Sequence, residues 1–199
     1  FASRAGGMDR VFQLLNQQHG LDFSHYKAST VGRRVQRRIE LKKIDSLDDY
    51  IAQLEVDSAE LNDLYKDLLI GVTKFFRDPP AFEILEKGVV PQLFAQAGNQ
   101  RPIRVWVAGC ASGEEAYSLA ILLDEEKQRL QSQVEVKIFA TDAHHISLHT
   151  AANGIYAEDS LSEMSQQRRA KYFRKQRDGY HVTRDLRRYI VFAPHNVIR

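Results

Sequence analysis

The 199-residue sequence is short of several features, and each shortage limits what the protein can be. A single cysteine, Cys110, rules out an intrachain disulfide and is typical of the reducing cytoplasm, where we expect the protein. No apolar run is long enough to span a bilayer, so we expect no direct membrane insertion. The 28 basic and 26 acidic residues give a net charge of only +2, which does not favour a nucleic-acid partner.

The most informative pattern lies midway along the chain, where a short apolar strand pattern runs through a glycine-bracketed turn into a helix pattern. Gly109 and Gly113 allow a sharp turn and a close approach by a ligand. Ser112 and Glu115 have the spacing of a capping box, which predicts a helix start just after the glycines. The order strand, glycine turn and helix N-terminus predicts a Rossmann-like nucleotide site, with Gly109, Cys110 and Gly113 in its loop.

The glycine spacing argues against a dinucleotide. A dinucleotide fingerprint is G-x-G-x-x-G, whereas this loop is G-x-x-x-G followed by Glu114 and Glu115. These carboxylates would repel a pyrophosphate, although they suit the positive end of a helix dipole. S-adenosylmethionine has a sulfonium, an amino group and a ribose but no phosphate, so it fits better, with Glu115 as a candidate contact. A purely structural role for both glutamates in the first helical turn remains the alternative.

Two later strand patterns carry further candidates. Residues 134–140 form a buried strand pattern that ends next to Asp142, where an acid can bind ribose hydroxyls. Residues 189–192 form a third strand pattern, and Asn196 at its exit is a candidate adenine-side contact. The histidines after Asp142 lack a complementary set of acids or cysteines, so we expect no metal site.

The N-terminal part of the chain predicts an all-helical domain over residues 8–78. Four helical patterns follow one another, the first ending at Gly20 and the second spanning 29–44. Ser46 and Asp57 are N-cap candidates for the third and fourth helices. The residues before this domain, 1–7, are predicted to be a linker or added residues.

The second of these helices is rich in arginine. Its apolar stripe consists of Val31, Val35 and Ile39. Basic residues flank the stripe, among them Arg33, Arg34, Arg37 and Arg38. Such a face could be solvated, could bind phosphates, or could bind an acidic helix of another protein. The lack of interleaved aromatic residues favours a protein partner over nucleic acid.

The segment between the helical domain and the nucleotide strand contains another candidate. Asp78 followed by two prolines predicts a further helix, which belongs to a linking segment over 79–102. Core packing accounts for Phe75 and Phe76, whereas Arg77 is a candidate functional cation.

Residues 156–188 interrupt the alternation of strands and helices. A helical pattern at 164–173 precedes the turn signal Asp178-Gly179 and a short strand pattern at 180–183. We therefore predict an α/β domain over 103–199, Rossmann-like and incomplete, with this small β-subdomain inserted in it.

Several blocks of the sequence resemble the CheR chemotaxis receptor methyltransferases, which are protein-glutamate O-methyltransferases that use S-adenosylmethionine. The matching blocks, in family order, are residues 33–38, 72–79, 104–118, 140–142, 154–156 and 195–197. Together they cover the chain from about residue 8 to its end, and the second and third are highly specific. The resemblance implies a helical N-terminal domain, a Rossmann-type methyltransferase domain and an inserted β-subdomain.

The resemblance also implies roles for individual residues. Cofactor contacts are implied at Thr73, Arg77, Glu115, Asp142, Asn196 and Val197. Arg77 would lie nearest the transferred methyl group, as the catalytic residue. The four arginines of the basic helix would bind the substrate, namely the acidic methylation helices of a methyl-accepting chemotaxis receptor. The hairpin around Gly179 is shorter than in family members that hold a receptor tail, so we expect no tail binding.

The family's next strand, whose Cys-Arg-Asn motif closes the adenosine pocket, would follow residue 199. We therefore expect the chain to be truncated at its C-terminus and to come from a protein with other signalling domains. The predicted function is methyl transfer from S-adenosylmethionine to receptor glutamates, giving methyl esters. The alternatives are a non-catalytic CheR-like adaptor or sensor and a nucleic-acid-binding methyltransferase.

Overall fold

A computed structural model describes residues 2–69, 73–98 and 101–197. The chain forms two compact units that meet in sequence between residues 70 and 71. The sequence predicts this boundary at residue 78 and a linking segment at 79–102, whereas the described residues 73–98 and 101–102 belong to the second unit. Within the described ranges, no helix combines the length and apolar character needed to cross a bilayer.

The first unit is a set of four α-helices with one short 3₁₀ turn. These elements are α1 (Ala2–His19), the turn Phe23–His25, α2 (Ala28–Lys42), α3 (Leu47–Val56) and α4 (Ser58–Leu69). Helix α1 begins at Ala2, so residues 2–7 of the predicted linker belong to this helix; residue 1 lies outside the described residues. The backbone of Gly7 packs so closely on Leu47 that a Cβ atom there would lie 2.9 Å from Leu47 Cδ2.

Local signals set the helix ends of this unit, as the sequence predicts. Gly20 adopts a positive φ of 66° and its N–H donates to Asn16 O at 2.7 Å, which ends α1. The Ser46 side chain accepts the N–H of Asp49 at 3.1 Å. The Asp57 carboxylate accepts the N–H groups of the second and third residues of α4, both at 3.0 Å. The predicted stripe of Val31, Val35 and Ile39 is buried.

The second unit is built on a parallel three-stranded sheet. Its helices and strands are α5 (Pro79–Ile84), a π-helical turn (Leu85–Val89), α6 (Val90–Ala97), β1 (Ile103–Ala108), α7 (Glu114–Arg129), β2 (Val136–Asp142), α8 (His145–Asn153), β3 (Ile155–Tyr156), a 3₁₀ turn (Glu158–Leu161), α9 (Gln166–Tyr172), β4 (Phe173–Gln176), β5 (Gly179–Val182), α10 (Arg184–Arg187) and β6 (Ile190–Pro194). Strand β2 lies between β1 and β6. The predicted class, a helical domain followed by an α/β domain, is confirmed.

The register of this sheet brings the ends of its three strands to one edge. Ala108, the last residue of β1, lies opposite Thr141, and Asp142 lies opposite Pro194 at the end of β6. All three strands therefore end at the same edge, which is the edge where parallel α/β sheets bind ligands.

The two faces of the parallel sheet differ. Val107 and Ile138 are at most 3% exposed and belong to the main core. Trp106, Phe139 and Val191 lie opposite one another on adjacent strands and are 44–60% exposed. One face is thus packed, and the other carries a row of exposed apolar side chains.

The predicted insertion forms an antiparallel sheet of its own. Strand β5 lies between β3 and β4, with Tyr156 opposite Tyr180 and Gln176 opposite Gly179. The hairpin turn falls where the sequence predicts it. Gly179 has a φ of 137°, and a Cβ atom there would come within 2.7 Å of Tyr156 O, so glycine is required.

Candidate functional site

The loop between β1 and α7 is held by backbone hydrogen bonds to the neighbouring strand. Gly109 and Cys110 both donate their N–H groups to Thr141 O, at 2.8 and 3.0 Å. Gly109, Ala111 and Gly113 have φ values of 72°, 46° and 94°, so the chain passes three times through the left-handed region. The sequence predicts such a turn for the two glycines but gives no sign of the strained Ala111.

Helix α7 begins at Glu114, as predicted, but without the predicted capping box. The N-cap residue is Gly113, and the Ser112 hydroxyl instead donates to the Glu114 carboxylate at 2.7 Å. Glu114 is only 5% exposed, and this burial raises the pKa of its carboxyl. Glu115, one residue further, is exposed. The capping box of Ser112 and Glu115 is therefore wrong, and of the two glutamates Glu115 is the one that faces solvent.

The two loop glycines serve different purposes. A Cβ atom on Gly113 would lie 2.8 Å from the Ala151 Cβ and 3.1 Å from the Tyr156 hydroxyl, so Gly113 allows the loop to pack against α8. A Cβ atom on Gly109 would meet nothing within 4 Å in the described structure. Open space beside a backbone with positive φ is the feature expected where a ligand lies against the loop.

Cys110 shapes the loop from the inside. Its side chain is 2% exposed and part of the main core. Burial, reinforced by the charge of Asp142, raises the pKa of the thiol to about 12, so the thiol stays protonated. Its carbonyl accepts the Gly113 N–H at 2.9 Å. The Cys110 side chain thus points into the protein core.

Asp142 connects the ends of two strands. One carboxylate oxygen accepts the N–H of Ala111 and the other accepts the N–H of His144, both at 2.8 Å. Its backbone carbonyl accepts the N–H of His195 at 3.0 Å, which draws the exit of β6 towards it. Asn196 and Val197 follow directly, the former half-buried and the latter 59% exposed. The predicted ribose and adenine candidates thus lie at the same edge of the sheet.

The segment 73–78 is anchored by its aromatic residues. Phe75 is fully buried, and its ring packs edge-on against Tyr156 at 4.9 Å and Phe173 at 5.3 Å between ring centroids. This confirms the core role predicted for Phe75. The two candidate polar residues precede and follow the phenylalanines in sequence: Thr73 is half-buried and Arg77 is exposed.

A cavity of about 360 Å³ joins this segment to the start of α7. Asp78 and Glu115 are its two charged lining residues, and the rest of its lining is apolar, including Phe82 and Leu119. Asp78 and the exposed Glu115, which are 37 residues apart in sequence, therefore line the same cavity.

The arginines of α2, in the first unit, have two different environments. Arg33 and Arg37 are exposed and Arg34 is half-exposed. Arg38 points inward, and its guanidinium donates to both oxygens of Glu60 at 2.9 and 2.7 Å. The Glu60 side chain is fully buried and also accepts the Tyr50 hydroxyl at 2.8 Å. Of the four arginines predicted to bind substrate, Arg38 therefore pairs with a buried carboxylate inside the helical unit.

Two contributors to the site have no clear signal in the sequence. The Tyr156 hydroxyl donates to Ser112 O at 2.7 Å and so helps to fix the backbone of the loop between β1 and α7. The Ser118 hydroxyl lies inside α7 and contacts both Phe76 and Glu114. A serine on the apolar face of a helix is the only hint of the second contact.

Known protein families match both units. A family model described as the CheR methyltransferase, all-alpha domain, matches residues 7–69. A second model, the CheR methyltransferase, SAM binding domain, matches residues 71–199. The two matches meet where the two compact units meet.

Individual relatives cover nearly the whole chain. An uncharacterized 104.1 kDa protein of Rhodobacter capsulatus is 37% identical over 194 residues, which are 98% of this chain but 20% of that protein. Chemotaxis protein methyltransferases of Listeria innocua and Borreliella burgdorferi are 31% and 29% identical, over 94% and 96% of this chain and 69% of each relative. The chain thus spans a fifth of one relative's length and about two thirds of the others'. The chain belongs to the CheR methyltransferase family, and S-adenosylmethionine is the cofactor of its second unit.

Proposed function

We propose that this protein transfers a methyl group from S-adenosylmethionine to glutamate side chains of chemotaxis receptors, giving glutamate methyl esters. The observation that carries the proposal is the match of the second unit to the CheR cofactor-binding domain, combined with the convergence of the Gly109–Gly113 loop and Asp142 at one sheet edge. Both relatives named as chemotaxis protein methyltransferases support the same activity.

The residues at this edge fit the cofactor. Space is open beside Gly109. Each oxygen of Asp142 accepts one backbone N–H, which leaves further lone pairs for ribose hydroxyls. Exposed Glu115 offers a carboxylate to the cationic end of the molecule. When bound, S-adenosylmethionine supplies an electrophilic methyl group on its sulfonium.

The chain needs no strong general base for this reaction. A glutamate side chain has an ordinary pKa of about 4.3, so the substrate carboxylate is already ionised at neutral pH. The work left to the protein is to orient that carboxylate in line with the methyl group and to keep water away. We assign Arg77, next to the buried Phe75–Phe76 anchor, the orienting role, because a guanidinium pairs well with a carboxylate.

Substrate docking belongs, in this proposal, to the first unit. Arg33, Arg34 and Arg37 lie on the outer side of α2, and a basic helix face complements the acidic helices of a receptor. Arg38 is left out of this face, since its guanidinium is committed to Glu60.

Two measurements on the 199-residue chain test the proposal. Calorimetric titration with S-adenosylhomocysteine should give binding that Asp142→Ala weakens, whereas Asp185→Ala, which removes an exposed acid, should bind as the wild type does. Transfer of labelled methyl to a receptor fragment should require glutamate, and not glutamine, at the methylation positions. Cofactor binding without any methyl transfer would contradict the enzymatic proposal and favour an adaptor. Methylation of a nucleic acid in place of the receptor would contradict the substrate.

A further inference from the structure

Phe76 adopts a backbone conformation that is unfavourable for its residue type. Its φ is 52°, in the left-handed region, which is sterically unfavourable for a non-glycine residue. Such a conformation persists only where the surroundings fix it. Arg77 follows directly, so the direction in which the Arg77 side chain projects depends on the backbone conformation of Phe76.

The Phe76 ring is held on two sides. It is 6% exposed and packs on Phe82 with 5.1 Å between centroids. The guanidinium carbon of Arg168 lies 4.8 Å from the ring centroid, in a cation–π contact. Arg168 is itself fixed by hydrogen bonds to Glu125 at 2.7 Å and Glu86 at 2.6 Å.

The Phe76 backbone is held by Ser118. This serine is fully buried in α7, and its hydroxyl donates to the Glu114 carbonyl at 2.7 Å, one turn earlier. The same oxygen accepts the Phe76 N–H at 3.0 Å, across 42 residues of sequence. One hydroxyl therefore joins the backbone of the 73–78 segment to the first residue of α7, which is next to Glu115.

We infer that Ser118 is a positioning residue for the proposed methyl transfer: its hydroxyl keeps Phe76 in the left-handed conformation and thereby holds Arg77 at a fixed distance from Glu115. The inference rests on the proposed function, in which Glu115 contacts the cofactor and Arg77, for which the family resemblance also implies a cofactor contact, orients the substrate carboxylate. Without the hydroxyl, the buried Phe76 N–H would lose its acceptor, which favours relaxation of Phe76 to negative φ. The Arg77 side chain would then project in another direction.

The test compares Ser118→Ala with Tyr189→Phe. The control also removes one hydrogen bond of a half-buried hydroxyl to α7, since Tyr189 donates to Asp124 at 2.9 Å, but it does not touch the 73–78 segment. Hydrogen exchange of the ligand-free chain should show the Phe76 amide exchanging at least about 10-fold faster in Ser118→Ala and unchanged in Tyr189→Phe. Calorimetry with S-adenosylhomocysteine should show about 10-fold weaker binding in Ser118→Ala alone.

The two readouts separate the possible failures. Unchanged exchange at Phe76 in a folded Ser118→Ala chain would overturn the positioning role. Faster exchange with wild-type affinity would overturn its link to the cofactor. Equal losses of affinity in both variants would mean that lowered stability, rather than position, is responsible, and would also overturn it. Failure of the wild-type chain to bind S-adenosylhomocysteine would overturn the proposed function instead, while the exchange comparison would still decide whether Ser118 holds the segment.

Discussion

Asp142 fixes the conformation of Ala111, because its carboxylate accepts the Ala111 N–H at 2.8 Å while Ala111 holds a φ of 46°. The same carboxylate accepts the N–H of His144 on its other oxygen. Asp142 thus shapes the loops after β1 and β2 at once, in addition to the ribose contact proposed for it. The structural and ligand roles of this side chain can be separated experimentally.

We expect Asp142→Asn to lower the free energy of unfolding by about 1–3 kcal/mol, because the amide can accept only one of the two N–H groups and turns its own donors towards the other. Urea denaturation in the absence of ligand measures this loss. Asp185→Asn, at a side chain 89% exposed, should change stability by less than about 0.5 kcal/mol. If Asp142→Asn is as stable as the wild type but binds S-adenosylhomocysteine less well, the carboxylate acts on the ligand alone.

Alanine substitutions at the two loop glycines should differ in their effects: Gly113→Ala should mainly lower stability, and Gly109→Ala should mainly weaken ligand binding. Gly113→Ala adds a Cβ atom 2.8 Å from Ala151 Cβ at positive φ, so we expect a loss of about 2–4 kcal/mol in stability from strain and overpacking. Gly109→Ala meets only open space, so its cost should be about 1 kcal/mol, from φ alone. Because that space is where we expect the cofactor, Gly109→Ala should weaken S-adenosylhomocysteine binding more than its stability loss explains. Thermal denaturation and calorimetry on both variants check this, and wild-type affinity in Gly109→Ala would contradict the assigned ligand position.

Much of this architecture could be predicted from sequence because it depends on local signals. Helix caps at Ser46, Asp57 and Asp78, and the strand–glycine–helix unit around Gly109, involve residues a few positions apart. The roles carried over by resemblance, such as that of Arg77, stay predictions.

The features that sequence did not reveal depend on distant partners. Arg38 looks like its neighbours on α2, and only the fold shows that Glu60, 22 residues away, draws it inward. Ser118 meets Phe76 across 42 residues, and its position on the apolar face of α7 does not by itself identify that partner. The linker predicted at residues 1–7 overlaps α1 for the same reason, since Gly7 packs on Leu47 of α3, 40 residues away.

Acid should destabilise the first unit through Glu60. Burial alone would raise the pKa of this carboxyl, but hydrogen bonds from Arg38, Lys42 and Tyr50 outweigh it and lower the pKa from 4.5 to about 2. A lowered carboxyl pKa gives stability that is complete above pH 4.5 and is lost as the pH falls towards 2. The loss should be on the order of 2–3 kcal/mol, measured by urea denaturation across this range.

The variant Glu60→Gln isolates this contribution. At pH 7 it leaves the Arg38 and Lys42 charges without their buried partner, and it should cost about 3 kcal/mol, whereas near pH 2 it should match the wild type. Glu55→Gln breaks only the exposed pair with Arg10 and should cost less than about 1 kcal/mol at either pH. A Glu60→Gln deficit that stays constant from pH 7 to pH 2 would mean that packing, and not charge, explains the loss.

The arginines of α2 should separate into a docking set and a structural residue. Alanine at Arg33, Arg34 and Arg37 together should leave stability within about 1 kcal/mol, because these side chains lie on the outer side of the helix. The same triple variant should keep wild-type affinity for S-adenosylhomocysteine, yet lower kcat/KM for receptor methylation by about 10-fold at low salt. That deficit should shrink as salt screens the attraction in the wild type.

Arg38→Ala should do the reverse, because it removes one of the cations paired with the buried Glu60 carboxylate. Breaking a buried pair from one side costs on the order of 3 kcal/mol, so urea denaturation should show a large loss of stability. Under conditions where this variant is still folded, its kcat/KM should equal that of the wild type and keep the wild-type salt dependence. A salt-dependent loss in Arg38→Ala comparable to that of the triple variant would return Arg38 to the docking face, and a triple variant with normal methylation would remove α2 from receptor recognition altogether.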